Sequence, residues 1–251
     1  MSTTLSMNKY KKPNWKYVDI GKRDRLLFKT IWEQKFLTRN HVLTHIFGDC
    51  PSYGEIRVRK LKKFGYLRAI KTLAGESESY LLGEAGVAEL RRDCPAGLRG
   101  WGCPSAQTFV EIACYEHDKR VTDVRFLFEK LGLCKDWKSE KLLKAGVKGE
   151  RKVPDGIFTR NGKGIAVEIE LHTKKASTYR KIFQIYESNP KIHYIFYVCG
   201  DLSVMRRIMD LSPDSGHKIF CFALYSDLMT HREMASFRTR RGSFRLKDVL
   251  E

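Results

Sequence analysis

A Gly- and Pro-rich joint, residues 95–105 (PAGLRGWGCPS), constrains this chain more than any other feature. Such a run interrupts both helical and strand periodicity. The sequence changes rhythm across it. Before the joint, apolar residues recur at helical spacing and then alternate in two short runs. After it, strand-like and helix-like stretches take turns. This predicts a basic N-terminal arm over residues 1–21, a first unit over 22–95 and a second over 96–251.

In the first unit a helix is expected over 22–36, with Leu26, Leu27, Thr30, Ile31 and Trp32 as its apolar stripe. Thr38 is a suitable N-cap for a second helix, 39–47, that buries Val42, Leu43 and Ile46. After the turn at 48–52 comes a third helix, 53–64, stopped by Gly65. It is expected to bury Ile56, Leu61 and Phe64 and to carry Arg57, Arg59, Lys60, Lys62 and Lys63. Two strands, 66–71 and 79–82, meet at a polar tip, 74–78. A closing helix begins near Glu84 and ends before Pro95. Three helices, a hairpin and a closing helix predict a winged helix-turn-helix. Its third helix is the element expected to enter the major groove of double-stranded DNA.

Charge points the same way. Lys and Arg total 47 against 29 Asp and Glu, a net charge of +18. A polyanion is the natural partner of such a surface. The arm adds Lys9, Lys11, Lys12 and Lys16 for backbone phosphates. No apolar run approaches the roughly 20 residues of a membrane helix, and no apolar stretch near Met1 reads as a signal peptide. No membrane partner and a cytoplasmic location are expected. Seven scattered cysteines form no CxxC and no paired Cys/His spacing, which argues against zinc. Cys199 and Cys221, in apolar runs, read as core residues.

In the second unit helices are expected over 106–116, 122–131, 136–145, 173–187 and 204–211. Strands are expected over 153–159, 165–171, 191–199 and 219–224. The alternation predicts an α/β domain with a mixed sheet. Along Ile165-Ala166-Val167-Glu168-Ile169-Glu170 side chains alternate faces, so Glu168 and Glu170 share one, with Cβ atoms about 7 Å apart. Asn161-Gly162 is a hairpin turn, and pairing across it brings Asp155 beside Glu168. Three carboxylates in a basic protein suit a hard cation, Mg²⁺ or Mn²⁺. Such an ion can polarise a phosphate and activate water. The plainer reading is a turn at Pro154-Asp155-Gly156 and an ordinary half-exposed strand.

Pro154-Asp155 followed by Glu168-Ile169-Glu170 resembles the PD-(D/E)xK nuclease superfamily, which has a restriction-endonuclease-like fold. The superfamily's usual Lys, two residues after the Glu, is here Glu170, a substitution also found in some restriction enzymes of this fold. Its absence removes the cation that positions water. Lys174, Lys175 or Lys181 on the following helix can supply one. Gln184 and Tyr186 match a Gln and Tyr that many relatives carry there.

A wider motif order runs through Tyr80-Leu81-Leu82, Gly86, Glu116-His117-Asp118, Trp137-Lys138-Ser139-Glu140, Pro154-Asp155, Glu168-Ile169-Glu170 and Lys181 to Tyr186. It resembles the replication-relaxation family and the MobC-type mobilisation relaxases. The resemblance implies a relaxase-like endonuclease that nicks DNA at the origin of transfer of a plasmid or conjugative element. It implies an accessory mobilisation protein as partner. It makes Asp155, Glu168, Glu170 and Lys181 catalytic, with Glu140 joining the three carboxylates at the metal.

Alternatives stay open. Glu140 also fits an i,i+4 ion pair with Lys144. His117 reads as a general base, a phosphate contact, or a cap. His41 and His45 are four apart and His193 stands alone, so the His pair of a tyrosine relaxase is missing. Hydrolysis fits better, and Tyr179 and Tyr186 read as core-facing. A rival reading is a regulator of plasmid replication or transcription, whose nuclease fold is inactive and serves DNA binding or a homodimer. A third is the end-processing subunit of a transposase-like machine.

Overall fold

A computed structural model of the chain describes residues 16–71, 77–93, 106, 109–146, 152–214 and 218–249. The joint at 95–105, residues 1–15 of the arm and residues 72–76 at the hairpin tip lie outside them.

The first unit begins with α1 (Lys22–Gln34), β1 (Leu37–Thr38) and α2 (Arg39–His41), which runs on into a π-helical turn, Val42–Ile46. Thr38 caps α2 as expected, its hydroxyl accepting from the His41 N–H at 3.1 Å. Next come α3 (Pro51–Lys63), β2 (Leu67–Ile70), β3 (Ser79–Leu82) and α4 (Glu84–Asp93). Gly65, at φ 73°, ends α3 in the left-handed region, where a side chain would be strained. The strands form an antiparallel sheet in the order β1-β3-β2. Leu27, Phe28, Ile31, Val42, Phe47, Val58 and Leu61 fill the core between helices and sheet.

Leu43 and Phe64 are half-buried rather than buried, and two further expected core positions are exposed outright. Leu26 is 51% exposed and Phe28 is buried instead. Ile56 is 47% exposed. The cause of the second is Gly54. A Cβ there would lie 2.8 Å from Phe47 Cβ and 2.9 Å from Leu43 Cδ2. The backbone of α3 therefore presses directly on the preceding π turn. That contact turns Val58 and Leu61 inward and Ile56 outward.

The second unit contains α5 (Ile112–Lys130), β4 (Lys138–Ser139), α6 (Glu140–Ala145), β5 (Gly156–Arg160), β6 (Lys163–Glu170) and α7 (Ala176–Glu187). It continues with β7 (Tyr194–Cys199), α8 (Leu202–Leu211), β8 (Ile219–Leu224), α9 (Tyr225–His231), β9 (Ser236–Thr239) and β10 (Gly242–Arg245). Among the described residues one seven-stranded sheet forms, in the order β10-β9-β8-β7-β6-β5-β4. The β6, β7 and β8 strands are parallel and the other pairs antiparallel, so the expected α/β class and mixed sheet are present. Asn161 and Gly162 take φ 48° and 73° at the β5–β6 turn, as an Asn-Gly hairpin requires.

The two faces of the sheet are both covered. Val167 and Ile169 pack with Val121, Val124 and Phe128 of α5. On the other face Ala166 and Tyr197 pack with Tyr179, Ile182 and Phe183 of α7. β6 is therefore buried from Gly164 to Glu170, and the half-exposed strand is corrected to a central one. Cys199 and Cys221 are core residues, as expected.

The helices expected over 106–116 and 122–131 are one helix, α5, because the polar stretch between them holds no Gly or Pro. This helix also ties the two units together. Tyr115 stacks on Phe36 at 4.9 Å and His45 on Phe126 at 4.3 Å. Arg125 donates to Glu33 at 2.7 Å in a buried pair. His41 meets Asp123 at 2.8 Å. Among the described residues no helix is long and apolar enough to cross a membrane.

Candidate functional site

The site gathers at the C-terminal end of β6. Asp155 immediately precedes β5, and the pairing of Gly156 with Val167 sets it beside Glu168, as expected. One Asp155 oxygen accepts from the Ile169 N–H at 2.8 Å and meets His117 Nε2 at 3.2 Å. Gly156 is needed for space. A Cβ there would fall 1.9 Å from the Trp137 ring. Trp137 thus covers the strand where it starts.

Glu168 is held from two sides. Lys152 donates to one oxygen at 2.9 Å. The Tyr186 hydroxyl of α7 donates to the other. Glu170 accepts from Lys174 Nζ at 2.7 Å. All three carboxylates are buried, Asp155 7%, Glu168 3% and Glu170 5% exposed. Buried charges are tolerated when paired and hydrogen-bonded, and each of these has a cation beside it.

Their acidities diverge. Burial raises Asp155, but the hydrogen bond and charge of His117, the charge of Lys152 and the Ile169 N–H outweigh it and leave Asp155 below its ordinary range. Burial raises Glu168 and the charge of Asp155 adds to it. Lys152 and Tyr186 oppose, and Glu168 comes to about 7. Burial likewise raises Glu170 against the pull of Lys174. Two neighbouring carboxyls pushed apart in this way divide the roles of fixed anion and proton carrier. Asp155 is the anion and Glu168 the group that titrates near neutrality.

His117 is a cation rather than the general base considered from sequence. Burial lowers it, but hydrogen bonds and charge from Asp118 and Asp155 raise it to about 10. Its other nitrogen lies 3.3 Å from Asp118, which accepts from Lys35 at 2.9 Å. Lys35 follows α1 at φ 73° and ψ −46°, a backbone conformation costly for a residue with a Cβ. A strained residue of the first unit thereby reaches the site through Asp118 and His117.

Several expected roles are corrected. Glu140 pairs with Lys144 at 2.6 Å and Lys35 at 3.6 Å, so the ion-pair alternative holds, and it lines a small pocket with His117, Asp118 and Asp155 without completing a metal cluster among the described residues. Lys181 is on the exposed side of α7 and contacts none of them, because α7 turns Tyr179, Ile182, Phe183 and Tyr186 inward. Among the described residues no three His, Cys, Asp or Glu side chains converge to hold a metal ion. The carboxylates suit Mg²⁺ or Mn²⁺ chemically, but each closes on its own cation, and the arrangement does not fit a metal cage. Lys152 is the residue that sequence reasoning missed. It precedes the strand rather than following the Glu, so no motif spacing marks it.

A cavity of about 660 Å³ opens beside the cluster, with His117, Arg120, Glu170, His172 and Lys174 in its wall. That is large enough for a nucleotide unit.

The five cations expected to meet DNA divide into two kinds. Arg57 donates to Asp24 at 2.8 Å and to the Asp19 carbonyl, and its side chain is 11% exposed. Lys62 pairs with Glu78 at 2.8 Å. Arg59 and Lys63 are exposed, and Lys60 is half-buried over the Tyr17 ring. With the exposed Tyr53 and Ile56 they form one face of α3 at helical spacing.

Compared with family models, curated proteins and solved structures, the chain matches none of them.

Proposed function

We propose that the chain is a DNA nickase, which binds double-stranded DNA through a winged helix and hydrolyses one strand at Asp155, Glu168 and Lys152 of a nuclease-like domain. The observation that carries this reading is Lys152 at 2.9 Å from Glu168. The ExE motif lacks its usual Lys, and a lysine from outside the motif stands beside the Glu. The face of α3 supports the DNA half, since Arg59 and Lys63 suit phosphates or guanine edges and Ile56 suits a thymine methyl.

In this reading Glu168 accepts a proton as water attacks phosphorus. The P–O bond to the leaving strand breaks, and the leaving oxygen takes a proton from solvent. Lys152 and the His117 cation offset charge building on the phosphate. Asp155 fixes His117. By the motif order, the natural target is an origin of transfer.

The test is a nicking assay on supercoiled DNA carrying the cognate origin, run with Mg²⁺, with Mn²⁺ and with a chelator. Nicked circles that vanish in Asp155→Ala and Glu168→Ala are expected. Sequence-specific binding without scission under every condition would refute the enzyme. That result favours the regulator, a second reading supported by carboxylates already closed on their own cations.

A further inference from the structure

At the opposite end of β6 lies a second cavity, of about 600 Å³, between the β5–β6 turn, the starts of β6, β7 and β8, and the β9–β10 hairpin. From Lys163 to Glu170 the strand runs about 23 Å, so this cavity is remote from the carboxylate cluster. Its floor is apolar and aromatic, with Tyr194, Phe220 and Phe244. Its rim is basic, with Arg160, Lys163, Lys218, Arg240 and Arg241 against Asp214 and Asp248.

The cations are held unusually. Lys218 is only 8% exposed, yet it donates to the carbonyls of Asn189, at 2.7 Å, and Ile192. Arg240 donates to the carbonyl of Ser212 at 2.8 Å. Carbonyls fix these groups without neutralising them. Among the described residues no carboxylate forms an ion pair with either. A buried cation lacking an anion is costly, and the cost falls when an anionic ligand enters. Arginine and lysine suit phosphate oxygens. Tyr194 and Phe244, half-buried rings in the same wall, suit a base.

We propose that this cavity binds a nucleoside phosphate, its phosphate against Lys218 and Arg240 and its base against the aromatic floor. The ligand is either a free nucleotide or one unit of a DNA strand. The inference does not rest on the nicking reading, because it uses none of the carboxylates.

The test is calorimetric titration of the full chain with ATP, with 5′-phosphorylated tetrathymidylate and with inorganic pyrophosphate. Saturable binding of ATP or of the tetranucleotide is expected, about tenfold tighter than pyrophosphate. Binding of ATP assigns a free nucleotide, and binding of the tetranucleotide alone assigns a strand. Arg240→Ala and Phe244→Ala should each weaken it about tenfold, while Arg59→Glu leaves it unchanged. Arg240 is exposed, so its variant keeps the wild-type melting temperature and remains informative if Phe244→Ala unfolds. Three results would overturn the proposal: no saturation by either nucleotide probe, pyrophosphate binding as tightly, or an equal loss in Arg59→Glu.

Discussion

Replacing Glu168 by Gln isolates the electrostatics of the site. Glu168 is buried, and its acidity moves from 4.5 in the unfolded chain to about 7 in the fold. Folding therefore favours its protonated form. The stability this gives is complete below pH 4.5 and lost as pH rises to about 7. At about 1.4 kcal/mol per tenfold change in proton affinity, the loss comes to about 3 kcal/mol. Gln is neutral throughout and loses nothing. In the wild type Lys152 stays charged over this range, since Glu168 and Asp155 outweigh burial and raise it above 10.5. His117 stabilises below 6.5 and loses that contribution towards about 10, but it does so in both proteins. Urea unfolding at pH 5 and pH 8 reads the difference. The variant should gain on the wild type by about 2.5 kcal/mol between the two, the rest of the loss falling below pH 5. Parallel stabilities within about 0.5 kcal/mol would refute a buried Glu168 that titrates near neutrality.

The two arginines of α3 should separate. Arg57→Ala leaves Asp24, 4% exposed in its side chain, without its cation and should cost about 3 kcal/mol in denaturant. Arg59→Glu should keep the melting temperature and weaken duplex binding with a shallower salt dependence. Equal stability loss in both would contradict the different settings of these residues. Gly156→Ala should cost about 3 kcal/mol, because its Cβ meets the rigid Trp137 ring. A variant that melts like the wild type would show that Trp137 does not hold the strand start.

Much of the frame was legible because it depends on local rules. Thr38 capped its helix, Gly65 ended one and Asn161-Gly162 turned a hairpin, each through backbone chemistry that nearby residues decide. Asp155 fell beside Glu168 because hairpin pairing follows from that turn. What escaped depended on distant partners. Ile56 read as core until Gly54 rotated α3. Glu168 and Glu170 alternate like a solvated edge, yet α7 covers their face. Lys152 gains its meaning only from Glu168, across a hairpin. The β9–β10 hairpin escaped because its strands are short and rich in Arg, with just Phe237 and Phe244 packing across it at 5.8 Å.

In the proposed nickase Lys152 replaces the cation missing from Glu168-Ile169-Glu170. The most direct measurement is the initial rate of nicking of supercoiled DNA by wild type, Lys152→Met and Lys181→Met at equal site occupancy. A loss of about 100-fold or more is expected in Lys152→Met, with an unchanged rate in Lys181→Met. A Lys152→Met protein that nicks at the wild-type rate, or a loss confined to Lys181→Met, would contradict it.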